Sequence, residues 1–168
     1  SGDPGCDGYN AEAVMLLEHI LAQPADLHLV LGDLVPTGKG QWFRQFAAIA
    51  RQASAPVHCL PGNHDRGEYD EACGRRDYFV RAPNALFIVL DNSARRFSDE
   101  TLDFLETTLE TEDAAHVFVA FHIPPPNPYV KNSVASEEWA RVSGRLAAHR
   151  ARVRAVLCGH VHAAFDYE

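Results

Sequence analysis

Cysteine is scarce and scattered in this 168-residue chain: Cys6, Cys59, Cys73 and Cys158, with no Cys-x-x-Cys pair. That argues against a disulfide framework in a chain of this length. Cys59 and Cys158 lie inside apolar runs and read as small core residues. The thiols favour a reducing, cytoplasmic setting. Long hydrophobic runs are missing too, so no segment reads as a bilayer span. Basic charge is short: 15 Lys and Arg stand against 23 Asp and Glu, for a net charge of -8. Phosphate backbones need Lys and Arg to displace their counterions, so nucleic acid is a poor candidate partner. Bound metal cations would supply positive charge locally and weaken that exclusion. Repeats, low-complexity tracts and linkers are absent as well. With 46% hydrophobic and 23% charged residues, the chain has the balance of one soluble domain over 1–168 with a real core.

What is present is an alternation of helical and extended patterns. Val14, Leu17, Ile20 and Leu21 form a helical stripe within residues 10–22. The short apolar run 27–31 then ends at Gly32-Asp33. Trp42, Phe43, Phe46, Ile49 and Ala50 make a second stripe, and the run 56–60 ends at Pro61-Gly62-Asn63. Residues 67–76 are polar and fit a short helix. The β-rich run 85–90 ends at Asp91-Asn92, which reads as a turn, with contact to a ligand histidine as the alternative. Ser98 or Asp99 caps a helix carrying Leu102, Leu105 and Leu109. The strand 117–121 ends at His122, and a proline-dense loop follows over 124–128. Ser136, with Glu137 and Glu138 in the first turn, opens a helix through Trp139, Val142 and Leu146. The strand 153–158 ends at Gly159-His160. Strands apolar on both faces and separated by helices argue for a layered α/β domain.

In such sheets ligands bind beyond the carboxyl ends of the strands. Asp33, Asn63, His64, His122, His160 and His162 all stand there, in four strings that each follow an apolar run. The reading puts all four on one edge of one sheet. Each string alone is weak. Five of nine histidines (His19, His28, His58, His116 and His149) have no motif around them, and Asn-His-Asp after Pro-Gly makes a turn by itself. Their common placement carries the signal. Carboxylate, amide oxygen and imidazole suit divalent Mn, Fe or Zn. One aspartate can bridge two ions, and ions about 3.5–4 Å apart can clamp a phosphate and supply a nucleophile near neutral pH. His64 stands apart as the histidine that is not a ligand. Its neighbour Asp65 would orient the ring and favour the protonated form, suiting it to donate a proton to a leaving oxygen.

In order along the chain, Gly32-Asp33, Gly62-Asn63-His64-Asp65, His122 and Gly159-His160-Val161-His162 resemble the calcineurin-like metallophosphoesterase family. The resemblance covers nearly the whole sequence. It implies mostly parallel β-sheets packed as a sandwich and flanked by helices, two divalent ions, and a small phosphate-ester substrate. It implies that Asp33 bridges the ions, that Asn63, His122 and His160 ligate the second, that Asp3 and His162 ligate the first, and that His64 is the catalytic histidine. Leu90-Asp91-Asn92, the segment 101–105 and Phe121-His122-Ile123-Pro124-Pro125 resemble the branch that holds cyclic-nucleotide phosphodiesterases and purple acid phosphatases. The family's first motif is Asp-x-His. Here it would be Asp3-Pro4-Gly5, and Gly5 offers no imidazole, with Cys6 and Asp7 the next groups that could substitute. Ser1-Gly2-Asp3 has no apolar strand before it and six residues follow His162, so the expected domain would have further strands at both ends.

The leading expectation is therefore a binuclear metal-dependent hydrolase of phosphate esters. Gly5 motivates a second: a phosphoesterase-fold scaffold with a weakened first metal site that recognises another protein. A nuclease uses the same metals but wants a basic groove. Tyr129 and Lys131, on the proline-dense loop, could touch substrate or simply ride on a stiff surface loop. Arg75, Arg76, Arg81, Arg95 and Arg96 could touch a phosphate group, but most read as solvated surface charges, and none is named as catalytic.

Overall fold

A computed structural model describes residues 3–5, 10–163 and 165–167. Its strands form two sheets, not one. β1 (His28–Val30) pairs in parallel with β2 (Val57–Cys59). The second sheet has the order β3-β4-β5-β6, with β3 Tyr78–Ala82, β4 Ala85–Val89, β5 His116–Ala120 and β6 Val153–Leu157. Only the β3–β4 hairpin is antiparallel; β4–β5 and β5–β6 are parallel.

Period-2 alternation explains how the layers stack. In β4, Leu86 and Ile88 join Val117, Val119 and Phe121 in one core, while Val89 and Ala120 face the other way. In β1, Val30 belongs to a second core, while Leu29 and the adjoining Leu31 meet Val89, Ala120 and Leu157. That small middle cluster draws side chains from both sheets, so the sheets face each other across it. The outer face of the larger sheet is covered by α4 (Asp99–Thr111) and α5 (Ser136–Ala148), through Leu102, Leu105, Leu109, Val142 and Leu146. The outer face of the smaller one is covered by α1 (Ala11–Leu21), α2 (Gly40–Ala50) and the short α3 (Tyr69–Cys73), through Leu17, Leu21, Phe43, Phe46 and Tyr69. Each such side chain contributes about 1.5–3 kcal/mol by leaving water. The layered α/β reading and the sandwich that the resemblance implied both hold.

Two local expectations are refined. Ser98 is the cap of α4, its hydroxyl accepting from the Thr101 N–H at 3.1 Å. Ser136 is the first residue of α5, and Ala135 before it offers no side-chain cap. Strand β3 has no counterpart in the sequence reading. It is an edge strand interrupted by exposed Arg81, whose guanidinium pairs with Glu112. Among the described residues no helix is long and apolar enough to cross a membrane.

Candidate metal centre

Both sheets send their parallel strands toward the same end, and the loops beyond β1, β2, β5 and β6 converge there. The turn after β1 needs Gly32 at φ +88, and a Cβ on it would lie 2.5 Å from His122 Nδ1. A Cβ on Gly62 would lie 2.1 Å from Asp33 Oδ1. These glycines let the loops approach closely enough for their neighbours, Asp33 and Asn63, to share one space.

His122, fully buried, is the hub. Its Nδ1 lies 2.8 Å from the Leu31 carbonyl, so the neutral ring donates there and presents the Nε2 lone pair. That Nε2 is 3.2 Å from Asp33 Oδ2, 3.2 Å from Asn63 Oδ1 and 3.1 Å from His160 Nδ1. Asp33, His122 and His160 offer ligand atoms all within 4.8 Å of one another. Lone pairs crowded together repel unless a cation lies among them. Ligand atoms about 2.0–2.2 Å from a common ion sit roughly 3.0–3.5 Å from each other, and His122 Nε2 stands at such a separation from each of its three neighbours. The residues fit a divalent ion.

Without a cation the same groups lean on one another electrostatically. Burial works against the charge on Asp33, but His122 and the His64 N–H outweigh it and hold the carboxyl below its ordinary value. Burial likewise opposes charge on His122, and Asp33, the Leu31 carbonyl and Asp3 override it upward. Burial, then the His122 and Arg95 charges, push His160 down to about 4, leaving it neutral and free to ligate near pH 7.

The other half of the site is thinner. The segment 3–5 lies beside the end of β1, Asp3 N–H donating to Gly32 O at 3.0 Å and Gly5 N–H to Asp33 O at 2.9 Å. Asp3 Oδ1 accepts from the His160 N–H at 2.9 Å. Asp3 Oδ2 is buried and takes no hydrogen bond, although His162 Nε2 is 3.0 Å away. Burial raises this carboxyl above its ordinary value, against the pull of His160 and His122. An orphaned carboxylate oxygen beside an exposed imidazole is the disposition a second cation would satisfy. Among the described residues, a Cβ at Gly5 would meet nothing within 4 Å. Cys6 and Asp7, the substitutes considered above, lie outside the described residues.

His64 sits at the exposed rim. Its N–H donates to Asp33 Oδ1 at 2.9 Å, and its Nδ1 is 3.1 Å from the Pro36 carbonyl. The ring is therefore oriented by Pro36 and not by Asp65, which corrects the expectation for Asp65. The Asp65 carboxylate is 1% exposed and accepts from the N–H groups of Leu34, Val35 and Gly62 at 3.0, 3.0 and 2.8 Å. It ties the loop after β1 to the loop after β2 and holds Asp33 and Asn63 in register.

Two residues stand closer to the centre than the favoured reading of the sequence put them. Asn92, for which contact to a ligand histidine was the alternative to a turn, is fully buried. Its Oδ1 accepts from the N–H groups of His122 and Ile123 at 3.0 Å each, and its Nδ2 donates to Ile123 O at 2.7 Å. It fixes the loop that carries His122. Arg95, read as surface charge, has Nη2 3.5 Å from His160 Nε2. The backbone marks the same residues. Among the described residues, the non-glycines at positive φ are Asp3, Asp33, Arg95, His160 and His162. Strain of this kind costs on the order of 1–3 kcal/mol per residue and gathers at functional sites.

The pattern of the family described as calcineurin-like phosphoesterase matches residues 1–164. A "probable cyclic nucleotide phosphodiesterase" of Synechococcus sp. is 27% identical over 163 residues, covering 91% of this chain and 64% of that protein. A "probable glycerophosphodiester phosphodiesterase" of Arcobacter nitrofigilis is 24% identical over 158 residues, covering 82% of this chain and 56% of that protein. The chain thus spans between 56% and 64% of the length of these two curated relatives. In fold it is similar to the crystal structure of a dimetal phosphatase from Danio rerio, with a TM-score of 0.76 at 15% identity, covering 96% of this chain and 80% of that one.

Proposed function

Because the chain belongs to the calcineurin-like phosphoesterase family, we propose that it hydrolyses phosphate esters at a centre of two divalent ions, Mn, Fe or Zn. The observation that carries this is the convergence of Asp33 Oδ2, Asn63 Oδ1 and His160 Nδ1 on His122 Nε2 at 3.1–3.2 Å. Those four residues would hold one ion. Asp33, Asp3 and His162 would hold the other. Bound ions would supply Lewis-acid stabilisation of the phosphoryl oxygens and a nucleophile at neutral pH.

The protein's own part is positioning and proton delivery. Asn92 and the Leu31 carbonyl fix His122 in place and in tautomer, as outer partners of metal-ligating histidines do. The Asp65 clamp and the His64 N–H fix Asp33. His64, as imidazolium, keeps Nδ1–H on the Pro36 carbonyl and turns Nε2–H to the leaving oxygen, acting as general acid. The names of the two relatives favour the diester class of substrate, with a small alcohol or nucleotide as the leaving group.

The scaffold alternative draws on the open space at Gly5, and one experiment separates the two. Purified protein is assayed on bis(p-nitrophenyl) phosphate and p-nitrophenyl phosphate, with Mn²⁺ and with a chelator. The expected result is turnover of at least one ester that the chelator abolishes and Mn²⁺ restores. Turnover of neither ester with any of Mn²⁺, Fe²⁺ or Zn²⁺ would leave the scaffold standing.

A further inference from the structure

Arg95 is the guanidinium that the proposed chemistry leaves unused. It lies in the loop between β4 and α4 at φ +64, its N–H donating to Asn92 O at 2.8 Å. A bulky residue rarely adopts that conformation without a reason. The turn begins at Asn92, whose side chain holds the His122 backbone, so Arg95 is anchored to the centre through its own main chain. Its Nη2 donates to Asn132 Oδ1 at 2.8 Å, in the segment between the proline-dense loop and α5, and lies 3.5 Å from His160 Nε2.

Among the described residues, four arginines have carboxylate partners. Arg76 pairs with Asp70 and Asp91, Arg81 with Glu112, Arg141 with Asp99 and Glu138, and Arg145 with Glu106. Among the described residues no carboxylate lies within 4.0 Å of Arg95. A cation held next to a site that collects cations is unfavourable unless an anion comes between them.

The tautomer of His160 says where that anion goes. Its Nδ1 faces His122 Nε2 at 3.1 Å and is the nitrogen turned toward the ligand cluster. With the Nδ1 lone pair committed to an ion, the ring proton sits on Nε2. As the rings stand, the Arg95 Nη2–H points at His160 Nε2 as its acceptor at 3.5 Å; once Nε2 carries the proton, the two meet donor against donor. Two donors that close are both satisfied by one oxygen acceptor bearing negative charge.

We propose that Arg95, steadied by Asn132, binds a non-bridging phosphoryl oxygen of the substrate and of the phosphate product. This rests on the metal-phosphate reading of the centre. It assigns Arg95 to substrate binding and gives Asn132 a defined task, holding the guanidinium in aim.

The test is calorimetric binding of inorganic phosphate to the Mn²⁺-loaded protein, with bound metal counted in each sample. Arg95→Ala should weaken phosphate binding about ten- to a hundredfold, the range for one charge-assisted hydrogen bond. It should retain the wild-type metal content and fold. Arg95→Lys should recover part of the loss, since it restores the charge but not the planar fork. Asn132→Ala should weaken binding by a smaller factor. Unchanged phosphate affinity in Arg95→Ala would overturn the assignment. So would loss of metal from that variant, which would make Arg95 a support for His160, or failure of the wild type to bind phosphate. The two readings fail separately. Wild type that binds phosphate through Arg95 but cleaves no ester would refute only the hydrolase. Wild type that cleaves esters while Arg95→Ala binds phosphate normally would refute only the role of Arg95.

Discussion

Asp33→Asn should cost the protein both its metal and its turnover. In the proposed centre Asp33 would serve both ions; its Oδ2 meets His122 Nε2 at 3.2 Å and its Oδ1 accepts from the His64 N–H at 2.9 Å. Asparagine keeps the shape and one carbonyl oxygen but removes the charge, and its amide nitrogen cannot ligate. The substitution is also gentle on the fold. Asp33 stands at φ +50, and asparagine is among the residues that tolerate this region best. The expected outcome is a folded protein with an unchanged metal-free melting temperature, well under two bound ions, and a kcat/KM lower by roughly a thousandfold or more, equivalent to the several kcal/mol that Lewis-acid stabilisation supplies. Metal analysis beside kinetics on the same preparation checks it. Full metal content with full activity would remove Asp33 from the centre.

His64→Ala should behave in the opposite way on metal. The ring is exposed at the rim, its Nδ1 partner is the Pro36 carbonyl, and His64 is not among the residues whose ligand atoms gather at His122. The contact to Asp33 comes from the backbone N–H, which alanine retains. Metal content should stay at the wild-type value while kcat falls by about a hundred- to ten-thousandfold, the usual reach of a general acid. The loss should depend on the leaving group. p-Nitrophenolate departs readily without a proton, so its ester should be affected least; an alkyl ester, whose alkoxide needs protonation, should be affected most. An equal loss on both would exclude proton donation by His64.

The contrast between legible and illegible features follows from where the signal resides. Asp33, Asn63, His122 and His160 could be read because each ends an apolar run, and parallel strands must deliver their carboxyl ends to a common edge. That these strands belong to two sheets was implied by the family resemblance but not by the strand pattern itself. Leu29 and Val30 are equally apolar, and only the fold shows that one faces the other sheet and the other faces the α1–α2 layer. Strand β3 was hidden by Arg81 and by its edge position. Asp65 was misread because a carboxylate next to His64 suggests a side-chain partner, whereas its three donors are backbone N–H groups, two of them at Leu34 and Val35 some thirty positions earlier. Backbone donors and acceptors have no sequence signature. The Pro36 carbonyl that orients His64 was invisible for the same reason. Asn92 had the right residue type at the right strand end, and its double acceptance from the His122 and Ile123 N–H groups is a tertiary contact that a single turn cannot reveal.

In the proposed centre the two halves are unequal. Asp33, Asn63, His122 and His160 would hold one ion and Asp3, Asp33 and His162 the other, and among the described residues no atom lies within 4 Å of where a Gly5 side chain would begin. The most direct measurement of the central claim is therefore the metal stoichiometry of the purified protein, by equilibrium dialysis against Mn²⁺ or Zn²⁺ with elemental analysis of the protein compartment. The account predicts two ions per chain, one held tightly and one more weakly, the weaker lost first as free metal is lowered. A single ion at saturation, or none, would contradict it.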